Sequence, residues 1–208
     1  MRTLLASILL LTSCVASAGK PPAPSTPPTV NGWYAGPQIG SVNYSPGIIL
    51  QPLAGGVLQF DIQPSPSEID GLVRAQTSLP ATMTIGFNLD GTVSPSEYPT
   101  ETPVLSVMFQ RAGDDWSARK RGQNDYDKFR WYYSETRPLV TGSNTLAVDF
   151  TDPAKWSSVY GAPATDNLAA WNAAKANVAA MHITFGAPGG REHGVTGIAH
   201  FNLTGATS

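Results

Sequence analysis

Between Asn124 and Ser134 the chain reads NDYDKFRWYYS, an acidic polar turn that runs straight into a cluster of rings. In an extended chain alternate side chains face opposite ways. Phe129, Trp131 and Tyr133 then share one face, and Arg130 and Tyr132 share the other. One face must be core; the other, with its turn, is a place for a ligand. Aromatic rings suit sugars, because the C–H face of a pyranose lies against a ring while polar neighbours bind the hydroxyls. The candidate ligand-binding residues are Trp116, Tyr132, Arg130, Arg191 and Trp33. Rings in strands are more often core, and Phe129 and Trp131 are assigned there. Trp116 differs in lying within a polar loop, and Tyr132 is the strand ring expected to be exposed.

Asp114, Asp115, Asp125 and Asp127, with Asn124, supply oxygens of the kind a calcium ion needs from irregular loops. A structural calcium is the one cofactor they could hold. No EF-hand spacing is present, and Asp and Asn favour turns for their own hydrogen-bonding reasons. His182, His193 and His200 all fall late in the chain, without HExxH or comparable zinc spacing. For acid–base chemistry, Glu192 with His193, or Asp114 and Asp115 with Tyr132, are the available groups. GxSxG, a Cys/His pair and a P-loop are all missing, so acyl-transfer and nucleotide chemistry have no support.

The elements that must position these residues read as β-strands. Leu58, Phe60 and Ile62 alternate with Gln59 and Asp61. Met83, Ile85, Phe87 and Leu89 form a half-buried set that ends at the turn signal Asp90-Gly91. Ile69 to Ala75 is a weaker strand. Leu105, Val107 and Phe109 point inward, and a polar loop from Arg111 to Gln123 precedes the ring-rich strand. After a turn at Thr141 to Asn144 come Leu146, Val148 and Phe150. Thr151-Asp152-Pro153 opens a short helix, and Thr165-Asp166 caps a longer one to about Ala180, with Leu168, Trp171, Lys175 and Val178 along one stripe. Trp156 and Trp171 are expected to pack these helices onto the sheets. Met181, Ile183 and Phe185, the turn Ala187 to Gly190, and Val195, Ala199, Phe201 and Leu203 close the chain. The expectation is an all-β jelly-roll sandwich of about nine strands with one or two short helical insertions.

At 208 residues, the chain holds one ordinary domain and an N-terminal extension. Its 13% charged residues, 20 glycines and 18 prolines suit short strands and turns. A net charge of -2 with no basic run argues against nucleic acid as a partner. Arg2 and the apolar run Leu4 to Leu11 read as an export signal. Two cleavage readings stand. Ala16-Ser17-Ala18 gives a signal peptide over 1–18. Leu11-Thr12-Ser13-Cys14 resembles a bacterial lipobox, which gives a signal over 1–13 and a lipidated Cys14 as membrane tether. Residues 19–30 form a Pro/Ser/Thr-rich tether and 31–208 the sandwich. Either way the protein is expected in the periplasm or at the cell surface.

From about Gly47 to Leu203 the chain resembles the galactose-binding-like jelly rolls of exported bacterial proteins. Three stretches carry the resemblance: FRWYYSE followed by LAVDFTDPAKWSSVYG, the expected helix before a strand reading MHITFG, and the closing GREHGVTGIAHFNL. It implies carbohydrate or surface binding, often with structural calcium. The function expected is a non-enzymatic module that binds a glycan or another envelope component. A jelly-roll carbohydrate-active enzyme, either a lyase or a glycosidase, and a structural or assembly module are the alternatives.

Overall fold

The computed structural model describes residues 27–114, 116 and 126–207, with Tyr126 and Asp127 described through their backbone. The expected signal and the tether up to residue 26 lie outside these residues, as do Asp115, Asn124 and Asp125.

The chain enters through a tight turn in which Val30 and Trp33 bond to each other across Asn31-Gly32. Then follow β1 (Trp33–Gly36), the small hairpin β2 (Gln38–Ile39) and β3 (Val42–Asn43), β4 (Gln51–Pro52), β5 (Leu58–Ile62) and β6 (Gly71–Ala75). The long strands β7 (Thr82–Pro95) and β8 (Val104–Arg111) come next, then a single turn α1 (Tyr126–Phe129) and β9 (Arg130–Tyr133). β10 (Arg137–Pro138), β11 (Gly142–Asp149), β12 (Trp156–Ser158), α2 (Leu168–Ala176), β13 (Val178–Gly186) and β14 (Val195–Thr207) complete the order.

These strands build two antiparallel sheets. The front sheet runs β1-β6-β13-β8-β9-β12, with β10 also on β8; the back sheet runs β11-β7-β14-β5-β4. Successive strands pass back and forth between the sheets from β5 to β8, as in a jelly roll. The all-β sandwich expected from the alternation is therefore the observed fold, with 14 strands among the described residues where about nine were expected.

Alternation fills the space between the sheets. Leu105, Val107, Phe109, Trp131, Tyr133, Met181, Ile183 and Phe185 come from the front sheet, and Leu58, Phe60, Ile85, Phe87, Phe201 and Leu203 from the back. Phe60, Phe87, Phe185 and Phe201 pack ring on ring, with Phe60 and Phe201 stacked at 5.0 Å between centroids. A second ring group centres on Trp156, which meets Phe109, Tyr133 and Phe150 at 5.0–5.1 Å. Each such buried ring contributes about 1.5–3 kcal/mol through the water it sheds. With the chain bringing no disulfide from its single cysteine, this packing holds the sandwich.

Several expectations need correction. Asp90-Gly91 is not a turn: β7 passes straight through it, because Gly91 at φ 122 lets the strand lie close on β14. A Cβ there would stand 2.3 Å from the Ile198 carbonyl oxygen. Phe129 belongs to α1 and not to the strand that follows it. Gly142 to Asn144 open β11, and the bend falls just before them. The longer helix stops at Ala176, so Val178 lies in β13, and Leu168 is exposed. The run from Val178 to Gly186 pairs on both sides, with β6 and with β8, and those ladders outweigh the weak helical preference of its alanines. Trp156 and Trp171 do pack into the core as expected.

Candidate functional site

The outer face of the front sheet is polar, yet it is buried. Pairing registers Ser157, Tyr132, Met108, His182 and Val73 in one row across five strands. Tyr132 and His182 are each 2% exposed and Met108 is fully covered. The alternation placed Tyr132 opposite Trp131 correctly, but its expected exposure is wrong. Segments from around the sheet cover this row.

A network ties the cover down. Asp114 accepts from Gln110 Nε2 at 2.9 Å and pairs with Arg130 Nε at 2.9 Å, both side chains being buried. Its other oxygen accepts from the Trp116 backbone N–H at 3.0 Å. The Trp116 ring then lies over the Arg130 guanidinium at 4.6 Å and meets the His182 ring at 5.7 Å. His182 Nε2 stands 3.2 Å from Gln110 Oε1. Burial, with Arg130 nearby, pulls the His182 pKa down to about 3, so the ring is neutral.

Beside it, the Tyr132 hydroxyl donates to Glu192. Burial first and the Glu192 charge second hold that phenol well above its ordinary pKa. Arg191 lies over the Tyr132 ring at 4.9 Å and donates to the Tyr133 carbonyl and the Ser157 hydroxyl. Three strand residues therefore fix the orientation of the turn that carries Arg191, Glu192 and His193.

Two adjoining depressions open over these groups. The larger, of about 550 Å³, is bordered by Tyr44, Tyr160, Trp116, Arg130 and a set of acids: Glu68, Asp70, Glu97 and Glu192. The smaller, of about 440 Å³, contains Tyr132, Arg191 and the turn Pro188 to Gly190. Val159, Tyr160, Glu192 and His193 form their common wall. Asp70 is 6% exposed, and its carboxyl is pushed up to about 8 by burial and then by Glu68, Glu192 and Glu97. His193 pairs with Glu97 at 3.3 Å on the rim.

Of the ligand-binding candidates, Trp116 and Arg130 line the larger depression and Tyr132 and Arg191 the smaller. Trp33 does not join them: it is fully buried in the sandwich core with Arg74 over its ring, because it opens β1 against β6. The metal candidates do not form a described group. Asp114 is engaged by Arg130 and Gln110, and Asp115, Asp125 and the Asp127 side chain lie outside the described residues. The histidines separate as well: His182 is in the front sheet, while His200 sits in the back sheet 2.7 Å from Asp61.

Glu68, Asp70, Glu97, Tyr44 and Tyr160 were not singled out in the sequence. A signal for two of them was present: Ser-Pro-Ser-Glu occurs at 65–68 and again at 94–97. Both copies deliver their glutamate to the same depression.

No family model matches the chain, and no curated protein matches it significantly. Solved structures resemble it at low identity. One is a candidate glycoside hydrolase from Bacteroides vulgatus: 6% identity, TM-score 0.41, over 77% of this chain and 76% of that one. Another is a xylan-binding module, CBM15, at 16% identity and TM-score 0.35, over 83% of this chain and 91% of that one. Xylanase 10C from Cellvibrio japonicus, solved with xylopentaose, matches at 15% identity and TM-score 0.34, over 84% of this chain and 27% of that one. Such values carry no argument about activity, and the fold assignment rests on the strand order itself.

Proposed function

We propose that this protein is an exported, non-enzymatic module that binds carbohydrate or another envelope component in the depressions over the front sheet. The observation that supports this reading is the wall of the larger depression, where the rings of Trp116, Tyr44 and Tyr160 stand beside hydrogen-bonding side chains. Rings offer flat apolar faces to a pyranose, and the polar groups between them bind hydroxyls. The export signal, the Pro/Ser/Thr tether and lipidation of Cys14 belong to the same reading, as does a calcium ion held by carboxylates among Asp114, Asp115, Asp125 and Asp127.

Titration of the protein with a panel of oligosaccharides, with and without a calcium chelator, tests it. A ligand is expected, and Trp116→Ala should weaken it about tenfold through loss of one stacking surface. A panel without any binder, or an affinity that Trp116→Ala leaves unchanged, overturns the reading.

One observation favours an enzyme as the second reading. Asp70, whose carboxyl is pushed up to about 8, and Glu192 line one depression, and glycoside hydrolysis requires two carboxyl groups of which one keeps its proton as the acid. Shortened products after incubation with any bound oligosaccharide would establish it, and intact ligand would dismiss it.

A further inference from the structure

Four carboxyl side chains border the larger depression: Glu68 and Asp70 before β6, Glu97 after β7 and Glu192 before β14. The basic groups near them are already engaged. Arg130 is paired with Asp114, and Arg191 lies against Tyr132 and donates to Tyr133 and Ser157. His193 is held by Glu97 at the rim. The larger depression therefore presents excess negative charge beside aromatic faces.

Its deepest acid is also the least compensated. Asp70 is 94% buried by its 6% exposure, and its carboxylate meets no hydrogen-bond donor among the described residues. Close by, the Ser96 hydroxyl oxygen is buried without a hydrogen-bond partner among those residues. Gly194 shows how near these oxygens come to one another. A Cβ on it would stand 2.6 Å from Asp70 Oδ1, 3.3 Å from Glu68 Oε2 and 3.3 Å from Ser96 Oγ. Two acids and an orphaned hydroxyl thus converge where a neutral sugar hydroxyl would bring no positive charge, leaving Asp70 to keep its proton beside Glu68.

We propose that the larger depression takes a glycan bearing protonated amines, a de-N-acetylated hexosamine oligomer. Its ammonium is held among Asp70, Glu68 and Ser96 Oγ, and its sugar faces lie on Tyr44, Tyr160 and Trp116. This rests on the carbohydrate reading above. An ammonium carries three donors and no acceptor, which matches three converging oxygens. An acetylated amine offers one donor and no charge, so it answers only part of the cluster. The volume and the flanking rings suit sugar rings, where a metal ion would need six or more oxygens within about 2.6 Å.

The assignment carries a proton signature. Glu68, Glu97 and Glu192 act on the Asp70 carboxyl, and Arg130, His193, Tyr44 and Tyr160 are the other titratable or charged groups that line the depression with it. At neutral pH the empty site keeps Asp70 protonated, and the entering ammonium displaces that proton to solvent.

Calorimetry on the full chain tests this with a glucosamine hexamer, its N-acetylated counterpart, a neutral glucose hexamer, oligolysine and calcium chloride. Each is run at about pH 5.5, where the amines and Asp70 both carry their protons, in two buffers of different ionisation enthalpy. The glucosamine hexamer should bind at least about tenfold tighter than either other hexamer, releasing about one proton per site. The double variant E68Q/E97Q, which changes partly exposed groups and so keeps the fold, should lose about tenfold for glucosamine alone. Equal binding of the three hexamers, or binding with no proton release, overturns the ammonium assignment and leaves the carbohydrate reading standing. Oligolysine or calcium occupying the site more tightly overturns it as well. Silence with every hexamer removes both.

Discussion

Gly194 joins the backbone of this protein to the chemistry of its site. It adopts φ 72, a conformation glycine enters freely and other residues at a cost of about 1 kcal/mol or more. Its N–H donates to the Phe185 carbonyl and its own carbonyl accepts from Ser96, so the conformation is fixed from both sides. Gly194→Ala should destabilise the fold by about 1–3 kcal/mol, read as a lower urea midpoint with an unchanged slope. The added methyl would also push into Asp70, Glu68 and Ser96, so ligand affinity should fall by more than folding accounts for at temperatures where the variant is fully native. A variant with wild-type affinity would show that these oxygens do not act as one group. Among site residues, Tyr132 makes the complementary point. Alternation gave it the correct face, but only the turn carrying Arg191 and Glu192 makes that face an interior one.

At the scale of elements, much of the sandwich was legible because period-two alternation is written directly in the strands. Leu105, Val107 and Phe109, or Leu58, Phe60 and Ile62, need no tertiary knowledge to be placed inward. What failed were signals that tertiary pairing overrides. Asp90-Gly91 has the composition of a turn, yet β14 pairs with β7 on both sides of it although β11 stops at Leu89, and the glycine serves close approach to β14. Gly91→Ala should therefore cost about 2–4 kcal/mol, more than a loop glycine would, since the new methyl meets the Ile198 carbonyl and the Ala199 backbone. Chemical denaturation measures this, and a cost below about 0.5 kcal/mol, the range of an unconstrained surface site, would refute the close approach. The helix boundary failed for a related reason: alanines from 173 to 180 favour a helix locally, while β13 gains two ladders by leaving it. The site was legible only where rings and arginines mark it. Trp116, Arg130, Tyr132 and Arg191 come from ring and charge patterning, whereas Glu68 and Asp70 gather with Glu97 from a segment 29 residues further on, and only the doubled Ser-Pro-Ser-Glu hints at it.

For the whole molecule, two buried groups with opposite shifts set how stability responds to pH. Asp70 titrates near 8 in the fold against 3.8 for a free carboxyl. Between those values the folded state binds a proton that the unfolded chain does not, so Asp70 lowers stability as pH rises toward 8. His182 titrates near 3 against 6.5 when free. Between those values the unfolded chain binds the extra proton, so His182 lowers stability as pH falls. From about pH 6.5 to 3.8 the two slopes oppose and offset each other. Above 6.5 only Asp70 acts, and below 3.8 only His182. Stability should then form a plateau between about pH 4 and 6.5, with a loss of up to about 2 kcal/mol on going to pH 8. Thermal unfolding across that range checks the shape. Asp70→Asn should abolish the alkaline fall and uncover the slope of His182, so that the variant gains stability steadily from pH 4 to 6.5. If Asp70→Asn keeps the fall above pH 6.5, the buried carboxyl is not its source. Because the same proton is the one an ammonium ligand would displace, saturating ligand should also flatten the alkaline limb of the wild-type profile.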